Sequence, residues 1–84
     1  TRSLAAELGP KGITVNAIAP GYFATEMNTA LIEDRDFTAW VEARTPLGRW
    51  AQPDELGGAV VFLASDAASH ITGTNIPCDG GLMA

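Results

Sequence analysis

The 84-residue chain carries 10 Asp and Glu against 5 Lys and Arg, a formal net charge of −5, with 46% hydrophobic side chains. Its cations, Arg2, Lys11, Arg35, Arg44 and Arg49, stand singly along the chain, which argues against a nucleic-acid partner, because a phosphate backbone is held by clustered Lys and Arg. The lone Cys78 can form no intramolecular disulfide, and the longest apolar run, the six residues Ala59–Ala64, falls far short of the roughly 20 that span a bilayer, so the expectation is a cytoplasmic protein that meets no membrane.

In chain order, Thr1 to Leu8 open directly in helical periodicity, as a piece of a longer chain would, and Gly9-Pro10 are predicted to stop that helix. Ile13 to Ala19 is rich in β-branched residues and nearly continuous in apolar character, which predicts a strand buried on both faces and closed by Pro20-Gly21. Thr25 to Arg44 is predicted helical in two pieces, with Asp34 capping the second and Phe37, Trp40, Val41 and Arg44 on one face; Thr45-Pro46 ends it. The next helix starts at Gln52-Pro53-Asp54-Glu55 and runs to about Ser65. Its apolar residues wrap most of the circumference, and Gly57-Gly58 in its interior suggest the close approach of another backbone. Thr74 to Cys78 forms a last strand, which Pro77 assigns to a sheet edge, followed by Asp79-Gly80-Gly81.

Two strands this far apart in sequence are joined by a crossover, giving an α/β fold with one βαβ unit. Such a unit can neither cover both faces of its sheet nor satisfy both edges, so it is expected to be part of a larger doubly wound parallel sheet. Ligands bind at the carboxyl ends of strands in such sheets, which directs attention to Val15 to Thr25, V-N-A-I-A-P-G-Y-F-A-T. Two readings of that stretch stand side by side. Gly21, lacking Cβ, admits a planar ring close to the main chain, with free N–H groups beyond it for a carboxamide or phosphate; alternatively the stretch is a plain strand-to-helix turn with Thr25 as the N-cap.

V-N-A-I-A-P-G, T-P-L-G-R-W-A-Q-P-D-E-L, F-L-A-S-D-A-A-S and T-G-T-N-I-P-C-D-G-G, in this order and spacing, resemble the C-terminal third of the short-chain dehydrogenase/reductase family. Within it, G-Y-F-A-T-E-M-N-T-A-L, D-R-D-F-T-A-W and R-T-P-L-G-R-W point to the gluconate 5-dehydrogenase subgroup. The resemblance implies a Rossmann-like fold in which residues 1–84 form the C-terminal segment of a single domain, with the nucleotide-binding half upstream. It implies NAD(P)H as cofactor, with Pro20, Gly21 and the main chain at Tyr22 and Phe23 lining the nicotinamide and the Thr25 hydroxyl on the carboxamide or pyrophosphate. Residues 25–47 would be a lid over a small polyol or keto-acid substrate, Arg49 and Glu55 a structural ion pair, and the intact protein a homotetramer. Rival expectations are a 3-oxoacyl-[acyl carrier protein] reductase and a non-catalytic scaffold or interaction module.

The family's Tyr-x-x-x-Lys pair has no counterpart in these residues: the one tyrosine, Tyr22, is followed four positions later by Glu26, and Ser3, Ser65 and Ser69 stand in no matching context. No catalytic residue is therefore assigned to the chain. His70 has no partner at metal spacing and is expected at the surface. Cys78 is assigned to core filling, Trp40 and Trp50 to packing, and Glu33, Asp34 and Asp36 to a solvated helix face.

Overall fold

The computed structural model describes residues 1–84. Strands β1 (Ala17–Pro20) and β2 (Asn75–Cys78) pair in parallel, with Ala17 opposite Asn75 and Pro20 opposite Cys78. Helix α1 (Arg2–Leu8) precedes β1, and the crossover carries α2 (Thr29–Glu33), α3 (Arg35–Arg44) and α4 (Asp54–Leu63). The predicted βαβ unit is therefore present.

Local signals hold where they rest on backbone chemistry. The Asp34 carboxylate accepts from the N–H groups of Asp36 (3.0 Å) and Phe37 (3.1 Å), capping α3 as expected. At α4, Glu55 Oε1 reaches back to the Gln52 N–H at 2.8 Å, so the first turn is closed by its own carboxylate. Asp79 does the same in the final turn, accepting from Gly81 N (3.0 Å) and Met83 N (3.2 Å), while Gly80 and Gly81 adopt φ of 64° and 93°, which side chains rarely permit.

Several boundaries differ. Gly9 does not cap α1: it is right-handed, the chain continues as a 3₁₀ turn over Gly9–Lys11, and the left-handed residue is Gly12 at φ 75°. β1 starts at Ala17 instead of Ile13, because before it the regular ladder gives way to side-chain bonds around a single backbone bond, Gly73 N to Val15 O at 2.8 Å. The Val15 N–H donates to Thr72 Oγ1 (2.9 Å), Asn16 Nδ2 donates to Ile71 O (3.1 Å), and Asn16 Oδ1 accepts from the Thr74 N–H (3.2 Å). The predicted helical segment from Thr25 comprises three pieces, a 3₁₀ turn at Glu26–Asn28 followed by α2 and α3. Within this chain no backbone approaches Gly57 or Gly58, since a Cβ at either would meet nothing within 4 Å.

Burial is sparse. Only Ala5, Phe23, Val41, Thr45, Trp50 and Ala68 are buried, while Val61 on α4 is 68% exposed. The accessible surface is 5971 Å², against about 4,800 Å² for a compact monomer of this mass. The radius of gyration, 15.7 Å, exceeds the roughly 12 Å of a compact 84-residue domain. Taken alone, the chain thus exposes on the order of 1,000 Å² more than a self-sufficient domain would.

Candidate functional site

The carboxyl end of β1 is held from two directions. Gly21 N donates to Cys78 O at 3.0 Å, extending the pairing with β2 by one bond. Beyond it the chain pairs with the segment that enters α4: Ala51 N donates to Tyr22 O (2.9 Å), Ala24 N donates to Ala51 O (2.8 Å), and Phe23 forms a parallel bridge with Ala51. Phe23 O accepts from both Thr25 N (3.0 Å) and Asn28 Nδ2 (2.8 Å).

These bonds leave an uneven account of donors. The N–H groups of Tyr22 and Phe23 find no acceptor in the chain. Thr25 stands in the N-cap position of the 3₁₀ turn with an extended backbone, yet its side chain makes no capping bond. Two amides and one hydroxyl without a partner in the chain are thereby grouped within four residues at a strand's carboxyl end, the place where ligands bind in parallel α/β sheets.

Gly21 has a reason within the chain in addition to the ring approach expected of it. A Cβ there would lie 2.7 Å from Asp79 Cα and 2.8 Å from Asp79 Cβ, so glycine is required by the turn that follows β2, whatever else approaches from the opposite side. Pro20, the last residue of β1, is exposed and supplies no N–H. Of the five sequence-predicted residues, Tyr22, Phe23 and Thr25 therefore offer donors, and Pro20 and Gly21 shape the backbone that presents them.

The Tyr22 side chain points into an aromatic cluster. Its ring meets Phe37, Trp40 and Trp50 edge-on, with centroids at 6.3, 5.8 and 5.9 Å, a favoured geometry for paired rings. Phe37 and Trp40 come from α3, and Arg44 lies over the Trp40 face at 4.9 Å. Trp50 is buried, as packing required, whereas Trp40 remains 44% exposed.

Beside the cluster, a cavity of about 530 Å³ opens between Tyr22-Phe23, the Thr45–Arg49 segment and the Asp79-Gly80-Gly81 turn. Pro20, Gly21 and Thr25 do not line it. Arg49 and Glu55 lie at its rim in a two-pronged pair, Nη1 to Oε1 at 2.7 Å and Nη2 to Oε2 at 2.8 Å. The Arg49 hydrogen bonds, followed by the Gln52 N–H, pull the Glu55 carboxyl down to about 2, and Glu55 in turn raises the Arg49 guanidinium. A carboxylate so firmly ionised is unsuited to proton transfer near neutrality. The pair is thus a structural brace, as the resemblance implied. No three His, Cys, Asp or Glu side chains gather as a metal site; His70 is exposed and Cys78 half-buried.

Asn16 was not singled out in the sequence, although a carboxamide inside a β-branched run is itself a signal. Its two bonds fasten the start of β1 to the start of β2, and with them the register that brings Gly21 beside Asp79.

Comparison with known proteins places these features in a family. Residues 1–83 match the family described as Enoyl-(Acyl carrier protein) reductase. Over 83 residues the chain is 52% identical to 5-keto-D-gluconate 5-reductase of Escherichia coli (strain K12), which covers 99% of this chain and 33% of that protein. It is 49% identical over 82 residues to gluconate 5-dehydrogenase of Gluconobacter oxydans (strain 621H), covering 98% and 32%. The crystal structure of a gluconate 5-dehydrogenase from Burkholderia cenocepacia J2315 in complex with NADP and tartrate superimposes with a TM-score of 0.92 at 48% identity, over 99% of this chain and 32% of that one. The chain spans about a third of the length of the curated relatives it matches.

Proposed function

Because the chain belongs to the short-chain dehydrogenase/reductase family, we propose that it forms the C-terminal segment of a single Rossmann-like domain in an NAD(P)-dependent oxidoreductase that interconverts gluconate and 5-ketogluconate. The observation that carries this reading is the group of unpartnered donors at the end of β1, namely the Tyr22 and Phe23 amides and the Thr25 hydroxyl. Such donors suit the carboxamide of a nicotinamide, which needs fixed hydrogen-bond partners to set the orientation of its ring. The surplus exposed surface supports a larger sheet, into which the upstream nucleotide-binding half packs.

In this reading the residues at hand orient and enclose. Tyr22 and Phe23 present their N–H groups to the carboxamide, and the Thr25 hydroxyl holds the same group or the neighbouring pyrophosphate. Residues 25–47 lie over the substrate as a lid and exclude water from the reacting carbon. Nicotinamide, when bound, exchanges hydride with the substrate carbinol carbon or ketone. The proton donor belongs to the upstream residues. The subgroup is supported by the names of the relatives, which act on gluconate or 5-ketogluconate. An acyl carrier protein substrate is disfavoured by the lid's own charge: Glu26, Glu33, Asp34, Asp36 and Glu42 outnumber Arg35 and Arg44, leaving −3 to repel an acidic carrier. Assembly as a cytoplasmic homotetramer belongs to the same proposal, supported by the exposed apolar side of α4 and by the absence of any helix long and apolar enough to cross a membrane.

The test uses the full-length protein. Its kcat/KM for gluconate with NADP or NAD should exceed that for acetoacetyl-carrier protein, and a clear preference for the carrier overturns the substrate assignment. Thr25→Val should weaken cofactor binding by about 1–2 kcal/mol, the scale of a lost hydrogen bond, while Thr25→Ser stays near the parent. An unchanged cofactor Kd with lowered Tm in Thr25→Val would reduce Thr25 to a turn residue.

A further inference from the structure

We propose that Trp50 is a positioning residue that latches the lid onto the floor of the site through the Thr38 hydroxyl. This rests on the reading of residues 25–47 as a lid and of Tyr22-Phe23 as part of the cofactor floor. The first part of the argument is where Trp50 is anchored. Its neighbour Ala51 is bonded on both sides to the end of β1, donating to Tyr22 O at 2.9 Å and accepting from Ala24 N at 2.8 Å. The Trp50 backbone is therefore fixed to the floor, and its side chain, 8% exposed, is buried.

The second part is what the indole holds. Nε1–H donates to Thr38 Oγ1 at 3.2 Å, and the Thr38 hydroxyl donates onward to Ile32 O at 2.7 Å. Thr38 lies in α3 and Ile32 in α2, so one hydroxyl joins both lid helices to a side chain rooted in the floor. Asp34 fixes the first turn of α3 and with it the placing of Phe37 and Thr38. The Phe37 and Trp50 rings lie with centroids 6.0 Å apart and planes tilted by 38°, and both rings rest edge-on against Tyr22. Tilted and edge-on ring contacts tolerate small shifts, whereas a hydrogen bond fixes a direction. The indole N–H is thus the element that sets the seat of the lid, while the rings supply the contact area.

Loosening the latch leaves the floor donors in place and affects closure over the substrate. In the full-length protein, Trp50→Phe keeps an aromatic ring and removes the donor, Thr38→Val removes the acceptor, and Thr38→Ser keeps it. Trp50→Phe and Thr38→Val should each raise KM for gluconate about 3- to 10-fold, the range set by one hydrogen bond, with cofactor Kd and kcat within twofold of the parent. The double variant should be no worse than the poorer single one, and Thr38→Ser should restore the parent KM. Amide hydrogen exchange in residues 29–44 should accelerate equally in Trp50→Phe and Thr38→Val. Additive effects, or Trp50→Phe with unchanged KM and unchanged exchange, overturn the latch. Should the parent protein turn over no sugar acid, the functional reading fails by itself. The exchange experiment then still decides: equal acceleration in both variants upholds the latch, and none overturns it.

Discussion

Substituting Gly21 by Ala tests why the turn after β1 has its shape. The new methyl would sit 2.7 Å from Asp79 Cα and 2.8 Å from Asp79 Cβ, where carbon atoms prefer about 3.5–4.0 Å. Asp79 Cα is backbone and cannot rotate away, and its carboxylate is tied to the N–H groups of Gly81 and Met83. Relief therefore requires the ends of β1 and β2 to part by about 0.8 Å to reach the lower end of that range. That movement stretches the 3.0 Å bond from Gly21 N to Cys78 O. Overpacking of this kind costs about 1–3 kcal/mol, and the weakened hydrogen bond adds about 1 kcal/mol. For a protein of 150–250 residues, each kcal/mol lowers Tm by about 2–4 °C, so a fall of roughly 5–15 °C is expected. Thermal unfolding of full-length Gly21→Ala, with and without saturating NADP, should give similar falls in both conditions. An unchanged Tm without cofactor, paired with a large loss of cofactor affinity, would refute the reasoning and return Gly21 to ring approach.

Glu55→Gln tests the brace at α4. The folded carboxyl titrates near 2 instead of 4.5, so the pair's contribution is fully present above pH 4.5 and is lost as pH falls from there towards 2. The variant should accordingly show a flatter stability profile across that window, converging with the parent at its acid end; parallel profiles would discard the pair as a contributor. Residues 1–84 expressed alone should show no dehydrogenase turnover and no sharp cooperative melt by near-UV circular dichroism, since the chain buries so little of itself. Turnover with gluconate and NADP, or a single steep transition, would contradict this.

What the sequence by itself determined are the features whose causes lie within a few residues. The Asp34 cap and the Pro53-Asp54-Glu55 helix start act within a single turn, and each appears where its side-chain chemistry demands, while the Arg49–Glu55 pair, six residues apart, stands where the family resemblance implied it. The parallel crossover also followed, because two strands separated by helices admit little else. The tertiary structure decided matters that depend on segments distant in sequence. Asn16 joins Ile71 and Thr74 across 55 and 58 residues, and the Ile13 to Asn16 run consequently leaves the ladder despite its strand composition. Gly21 is glycine because the turn after β2 occupies the space of a side chain. Tyr22 became the base of an aromatic cluster whose members come from three segments. Composition and periodicity report which face a residue prefers, but only the register of β1 against β2 determines which atom it meets there.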